Sequence, residues 1–403
     1  MINKYLVKYR NVTVLIMLSA AFGPVRNVIL GRMLSISDFG VYSLSLTVVG
    51  MLYPLLLFGQ QRGSIRFFIK NSVTDYDWKR PIMILLYIAV LISCISVPII
   101  AWYYDVGYPF LYFCICAITS SLITELLANI VRSSGKYELA LLLQRSVRII
   151  IAIIVVIFFL SDLSILSSMF YIFGTTHIFY GVFIYYYVNK KINLGIKKVP
   201  TSSQKEGLYF SVMDVITLVN AYGINLIIAG ILSLDYLGIF FAVCIILRVY
   251  ETFVQSTDFV VMPSSGDLDK KGLIVIIVKN LIIGALISLF FIVFGESLLS
   301  LIYAQKYDEY LYLIPYICLV GFVKMMDVIP SSIVGGVSKK RVLKQYVFFN
   351  IALTLLFIPG SILSIRYIGL KGAACALIIL YALRSIFGFG ILYRIYELEK
   401  EGY

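Results

Sequence analysis

The chain has 403 residues, 61% of them apolar and 14% charged, with a mean hydropathy of +0.96 and a formal net charge of +13. Soluble chains carry far more charge. A bilayer-crossing helix takes about 20 apolar residues, so roughly twelve spans use up the chain and leave no room for a soluble domain. One histidine, His177, and the lack of a G-x-x-x-x-G-K-[ST] loop exclude a histidine-built metal site and nucleotide-driven pumping.

Apolar runs between charged or turn-rich breaks predict spans near 11–32, 39–59, 82–104, 109–131, 139–160 and 164–188. A second set is expected near 207–232, 237–261, 272–296, 310–333, 343–364 and 370–393. The opening run has full membrane length, contains Arg26 and lacks a small-residue cleavage site, so it reads as a span, not a cleaved signal peptide. Basic loops stay in the cytoplasm, and alternate loops divide the Lys and Arg residues twenty-three to four. The rich set includes Lys4, Arg62, Lys79, Arg132, Lys190, Lys270, Lys339 and Arg394, whereas the poor set holds only Arg32, Lys306, Arg366 and Lys371. Both termini are therefore expected in the cytoplasm. The positive charge needs no nucleic acid partner, because anionic lipid headgroups account for it.

The longest polar interruption, 189–206, carries five lysines and divides the chain into an N-terminal lobe, 1–188, and a C-terminal lobe, 207–403. Internal similarity points the same way. The segment 27–42, NVILGRMLSISDFGVY, lies ungapped over 225–240, NLIIAGILSLDYLGIF, with five of sixteen positions identical. Its matched punctuation is Asn27 with Asn225, Ser35 with Ser233 and Gly40 with Gly238. Two parallel six-span lobes related about the membrane normal, with a central site between them, are expected.

Charges inside spans point to function, because each costs about 2.5–3.5 kcal/mol at the bilayer centre. Arg26, Arg248, Lys324 and Arg384 fall near mid-membrane, against Glu251 and Asp327. Arg248 with Glu251, and Lys324 with Asp327, are spaced i, i+3 and could pair on one helix. Arg26 and Arg384 have no such neighbour. A cationic excess suits an anion, above all a phosphate gripped by guanidinium. Arg145, Arg148, Lys279, Glu125, Asp214 and Asp258 lie closer to the cytoplasmic ends and are expected to snorkel.

Other features read as structural. Cys94, Cys114, Cys116, Cys244, Cys318 and Cys375 are expected as small core residues, Tyr103, Tyr104, Tyr108 and Tyr312 as an aromatic belt, and His177 as a satisfied core residue. Pro24, Pro54, Pro98, Pro330 and Pro359 interrupt backbone hydrogen bonds within spans, and Gly23-Pro24 before Arg26 offers a hinge.

The run 30–44, LGRMLSISDFGVYSL, resembles the first-loop signature of the Wzx-type oligosaccharide-lipid flippases, and the patches RGSIRF at 62–67 and RSSGKYEL at 132–139 agree with it. Asp38 stands where that family more often has Glu. The resemblance implies an all-α polytopic fold of the multidrug/oligosaccharidyl-lipid/polysaccharide exporter type, with two six-helix lobes working by alternating access. It implies an inner-membrane protein moving an undecaprenyl-diphosphate-linked glycan, such as an O-antigen unit, to the periplasmic leaflet. Arg26 and Arg248 are then expected to contact diphosphate or glycan, with Lys324 and Arg384 added on depth and charge. Polysaccharide polymerase and chain-length regulator proteins are the partners such a role implies. No cofactor is expected, although Glu251 or Asp327 could couple transport to protons or sodium. The sequence admits two rivals. A membrane polymerase would need a catalytic periplasmic loop longer than the dozen or so residues available, and a multidrug antiporter would favour an acidic cavity.

Overall fold

The computed structural model describes residues 22–60, 76–77, 79–134, 136–161, 165–191, 197–198, 201–264, 270–337 and 340–398. The start of the first expected span, the patch at 62–67, Gly135 within the patch at 132–139, residues 192–196 and 199–200 of the linker, and both termini lie outside them. Helix α1 covers 22–33 in the described residues, followed by α2 (Ile36–Leu56), α3 (Lys79–Tyr103), α4 (Tyr108–Ser133), α5 (Tyr137–Leu160), α6 (Leu166–Lys191) and α7 (Thr201–Ile231). Then come α8 (Leu234–Val243), a 3₁₀ turn (Cys244–Ile246), α9 (Leu247–Ser264), α10 (Lys270–Tyr303), a 3₁₀ stretch (Asp308–Leu313), α11 (Ile314–Val337), α12 (Lys340–Ile368) and α13 (Leu370–Leu398). Two short strands, β1 (Tyr76–Asp77) and β2 (Lys197–Lys198), pair in parallel, with Tyr76 opposite Lys197. Their pairing brings the loop after the second span and the linker to the same side.

Ten helices or joined helices among the described residues are long and apolar enough to cross a membrane, against the twelve expected. Part of the first lies outside the described residues. The sixth forms as α6 but is not among the ten. It carries Thr175, Thr176, His177 and the triplet Tyr185, Tyr186, Tyr187. Its polar groups turn back onto its own backbone, Thr175 to Tyr171 at 2.7 Å, Thr176 to Ile172 at 2.7 Å and His177 Nδ1 to Phe173 at 2.8 Å. His177 is buried, edge-on to Phe113, as a satisfied core residue should be.

The eighth span differs from expectation in being broken. A 3₁₀ turn at Cys244–Ile246 divides α8 from α9 immediately before Arg248, with no glycine or proline to announce it. Such a tightened turn within a helix is where a hinge or a functional side chain is often found. Pro54, Pro98, Pro330 and Pro359 do lie inside helices, which run on past them. The cysteine reading needs one correction. Cys114, Cys116 and Cys318 are buried and Cys244 and Cys375 partly so, but Cys94 is exposed on α3, on a helix that also exposes Tyr87, Leu91, Ile95 and Ile99.

The chain divides into two compact units, Met1–Leu226 and Ile227–Tyr403, and α7 runs unbroken through that boundary. Within the first unit α4 is the hub, packing against α2, α3, α5 and α6. Within the second, α11 packs against α9, α10 and α13. Counting spans from the start of each expected lobe, the hub is the fourth in both, and it holds the second, third and sixth in both. The matched serines also do the same work. Ser35 accepts a hydrogen bond from the Asp38 amide at 3.0 Å as the N-cap of α2, and Ser233 accepts from the Tyr236 amide at 3.4 Å as the N-cap of α8.

Candidate functional site

The side chain of Glu251 on α9 ties two cations together. One carboxylate oxygen accepts from Arg248 Nη1 at 2.7 Å, and the other from Lys324 Nζ on α11 at 2.8 Å. The first contact is the i, i+3 pair expected from the sequence. The second is not. By spacing Lys324 could have paired with Asp327 on its own helix, but Asp327 turns to Arg384 on α13, with Nη2 to Oδ2 at 3.2 Å. Arg384, which has no partner on its own helix, therefore has a carboxylate from the neighbouring one. Both α9 and α13 pack against α11, which makes both cross-helix pairs possible.

Tyr381, buried one turn before Arg384, lies between the two pairs. The Lys324 ammonium and the Arg384 guanidinium each sit 5.8 Å from its ring centroid. The quadrupole of the ring favours both cations. Sequence reasoning passed over this residue, although its i, i+3 spacing to Arg384 was a usable signal.

The two ion pairs differ in accessibility. The Arg384 and Asp327 side chains retain 16% and 6% of their exposure, whereas Arg248 retains 49%, with Glu251 at 24% and Lys324 at 23%. Arg248 also begins a polar stripe at positions i, i+3, i+4, i+7 and i+8 of α9: Arg248, Glu251, Thr252, Gln255 and Ser256. The Thr252 and Ser256 hydroxyls donate back to the Arg248 and Thr252 carbonyls, at 3.0 and 2.8 Å. Tyr250 and Ile246, on the other side of the helix, are buried. Val249 and Phe253 are exposed beside the stripe; a polar stripe on a transmembrane helix is the pattern of a span lining a water-filled path.

In the first unit Arg26 leans on neutral groups. Its Nε and Nη2 donate to Asn27 Oδ1 at 3.4 and 3.3 Å, the Tyr42 hydroxyl donates to the same oxygen at 3.4 Å, and the guanidinium lies 5.8 Å from the Tyr42 ring centroid. No carboxylate pairs with Arg26 among the described residues. Thus one unit holds three deep cations around two carboxylates, and the other holds Arg26 with its charge unneutralised by any described acid.

Of the acids expected to snorkel, Glu125 is held instead by internal donors, accepting from Asn129 on its own helix and Gln144 on the next at 3.3 and 3.1 Å. Asp214 is buried, whereas Asp258 is exposed and also accepts from Ser332 at 2.5 Å. Tyr103, Tyr108 and Tyr312 are exposed at span ends, in keeping with a belt.

Neither a protein-family profile nor a curated protein matches the chain. Solved structures do. An inward-facing multidrug resistance MATE transporter of the MOP superfamily superposes with a TM-score of 0.71 at 13% identity, covering 96% of both chains. An outward-facing multidrug resistance MATE transporter of the same superfamily gives 0.61 at 15% identity, with 97% of this chain and 96% of that one. A MOP superfamily transporter from Pyrococcus furiosus, described as having a binding pocket of reverse polarity that suggests a different function, also gives 0.61 at 15%, covering 96% and 95%. The chain therefore shares the fold of these solved structures, an overwhelmingly helical polytopic membrane fold.

Proposed function

We propose that this protein is a transporter, not an enzyme, which carries a lipid-linked oligosaccharide with an anionic diphosphate headgroup from the cytoplasmic to the periplasmic leaflet by alternating access. Undecaprenyl-diphosphate-linked glycan, as in O-antigen or related surface polysaccharides, is the cargo class, and the bacterial inner membrane is the location. The observation that carries the reading is the surplus of deep positive charge. Arg248, Lys324 and Arg384 surround two carboxylates, and Arg26 has only neutral described partners. Arg248 is the most accessible of the three and opens a polar helix face, so it supplies the main headgroup contact, with Lys324 and Arg384 adding positive charge within the same unit; Arg26 adds a further cation in the first unit.

Glu251 and Asp327, the two carboxylates expected deepest in the membrane, are both occupied by this chain's own cations, which disfavours them as receivers of an organic cation. The Pyrococcus furiosus protein is described as differing in pocket polarity and function, which fits a fold whose cargo follows its charge. A group of charge near −2 leaving a negative-inside cell gains about 2.3 kcal/mol per charge per 100 mV, so on the order of 4–5 kcal/mol is available to drive export. Glu251 or Asp327 would serve if the return step were coupled to protons or sodium. Polymerase and chain-length regulator proteins would act on the exported unit.

Deleting the gene and assigning lipid-linked glycan to each leaflet tests the proposal. Accumulation on the cytoplasmic side supports it; unpolymerised units outside would indicate a polymerase instead.

A further inference from the structure

Glu251 occupies its two cations in the way an anionic ligand would. Each carboxylate oxygen takes one cation, Arg248 from its own helix and Lys324 from the next, at 2.7 and 2.8 Å. A phosphoryl group binding Arg248 and Lys324 would offer two oxygens to the same two donors. Lys324 is also held against the Tyr381 ring, and Arg248 is half-exposed on the polar face of α9. The contrasting pair, Asp327 with Arg384, is far less accessible and has no such open side.

We propose that Glu251 is a built-in counter-anion: it holds Arg248 and Lys324 together and neutralised while the site is empty, and the headgroup phosphate displaces it from Arg248 on binding. The inference rests on the anionic-cargo reading above and assigns within it a positioning residue that sequence analysis could name only as a charge partner or coupling site. Its consequence is a trade between affinity and release. An internal competitor weakens capture of the cargo, and by returning to Arg248 it promotes departure on the far side. Without it, the two cations should hold a diphosphate more tightly and let go more slowly.

The probe is geranylgeranyl diphosphate, titrated into the purified full chain in detergent, with transport of lipid-linked glycan followed in proteoliposomes. Glu251→Gln keeps the shape and removes the charge. It should bind the diphosphate about three- to fivefold more tightly, as expected when one partly exposed ion pair no longer competes, and transport more slowly. Glu251→Asp retains the charge but is too short to span both cations, and should gain about twofold; it decides the matter if the glutamine variant does not fold. Arg248→Ala should weaken binding in both backgrounds. If the Glu251 variants bind the diphosphate no more tightly than the native protein while Arg248→Ala still weakens binding, Glu251 is not a competitor and the anionic-cargo reading stands without it. If diphosphate binding is indifferent to Arg248, both fall.

Discussion

The two ion pairs of the second unit should respond unequally to mutation. Asp327 and Arg384 are 6% and 16% exposed, so removing one leaves the other charged and without its carboxylate or guanidinium in an apolar setting. Breaking a buried pair in this way costs about 3–5 kcal/mol, whereas replacing both members with apolar side chains of similar size is close to neutral. At roughly 2–4 °C per kcal/mol for a unit of this size, Asp327→Leu should lower the melting midpoint in detergent by on the order of 10 °C. Adding Arg384→Met should recover most of that loss. Arg248 is 49% exposed, so Arg248→Ala should cost less than about 1 kcal/mol and leave membrane abundance near normal. The assay is a thermal unfolding curve of the purified chain, read as the fraction remaining monodisperse. An unchanged midpoint for Asp327→Leu, or a double variant as unstable as the single, would refute the assignment of this pair as a buried lock.

Three further outcomes follow from local geometry. A Cβ at Gly372 would lie 2.1 Å from the Ser364 carbonyl oxygen, so Gly372→Ala must push α12 from α13; it should cost about 3 kcal/mol and lower the yield of monodisperse protein, while Gly360→Ala, with nothing within 4 Å, should not. Ser35→Ala removes the α2 cap and should cost about 1 kcal/mol in thermal unfolding, and Ser233→Ala, whose cap bond is longer, should cost less. Tyr381→Leu removes the ring shared by Lys324 and Arg384 and should cost about 1–2 kcal/mol in the same measurement, with a smaller loss if Lys324 is already methionine.

Much of this molecule is legible in the sequence because the bilayer imposes one solution on long apolar runs. Eleven of the expected spans begin and end within several residues of observed helices, and the serine punctuation at Ser35 and Ser233 marks real N-caps. The deep charges could be named for the same reason, since any ionised side chain inside such a run stands out. Their partners could not. An i, i+3 rule sees one helix at a time and so pairs Lys324 with Asp327, but which carboxylate each cation meets depends on α9 and α13 packing beside α11. The 3₁₀ turn before Arg248 left no trace because Cys244, Ile245 and Ile246 are ordinary apolar residues that suit a regular helix equally well. Glu125 was misread in a similar way: its donors Asn129 and Gln144 come partly from another helix, so depth alone could not tell a snorkelling carboxylate from a satisfied one.

The most direct measurement is leaflet exchange by the purified chain. In proteoliposomes loaded with undecaprenyl-diphosphate oligosaccharide, glycan on the inner leaflet is shielded from a glycosidase added outside. The native protein should expose that glycan to digestion, Arg248→Ala should not, and neither should move a cationic dye. Dye transport by the native protein with the inner glycan still shielded would contradict the account and make the carboxylates, not the cations, the working groups of the site.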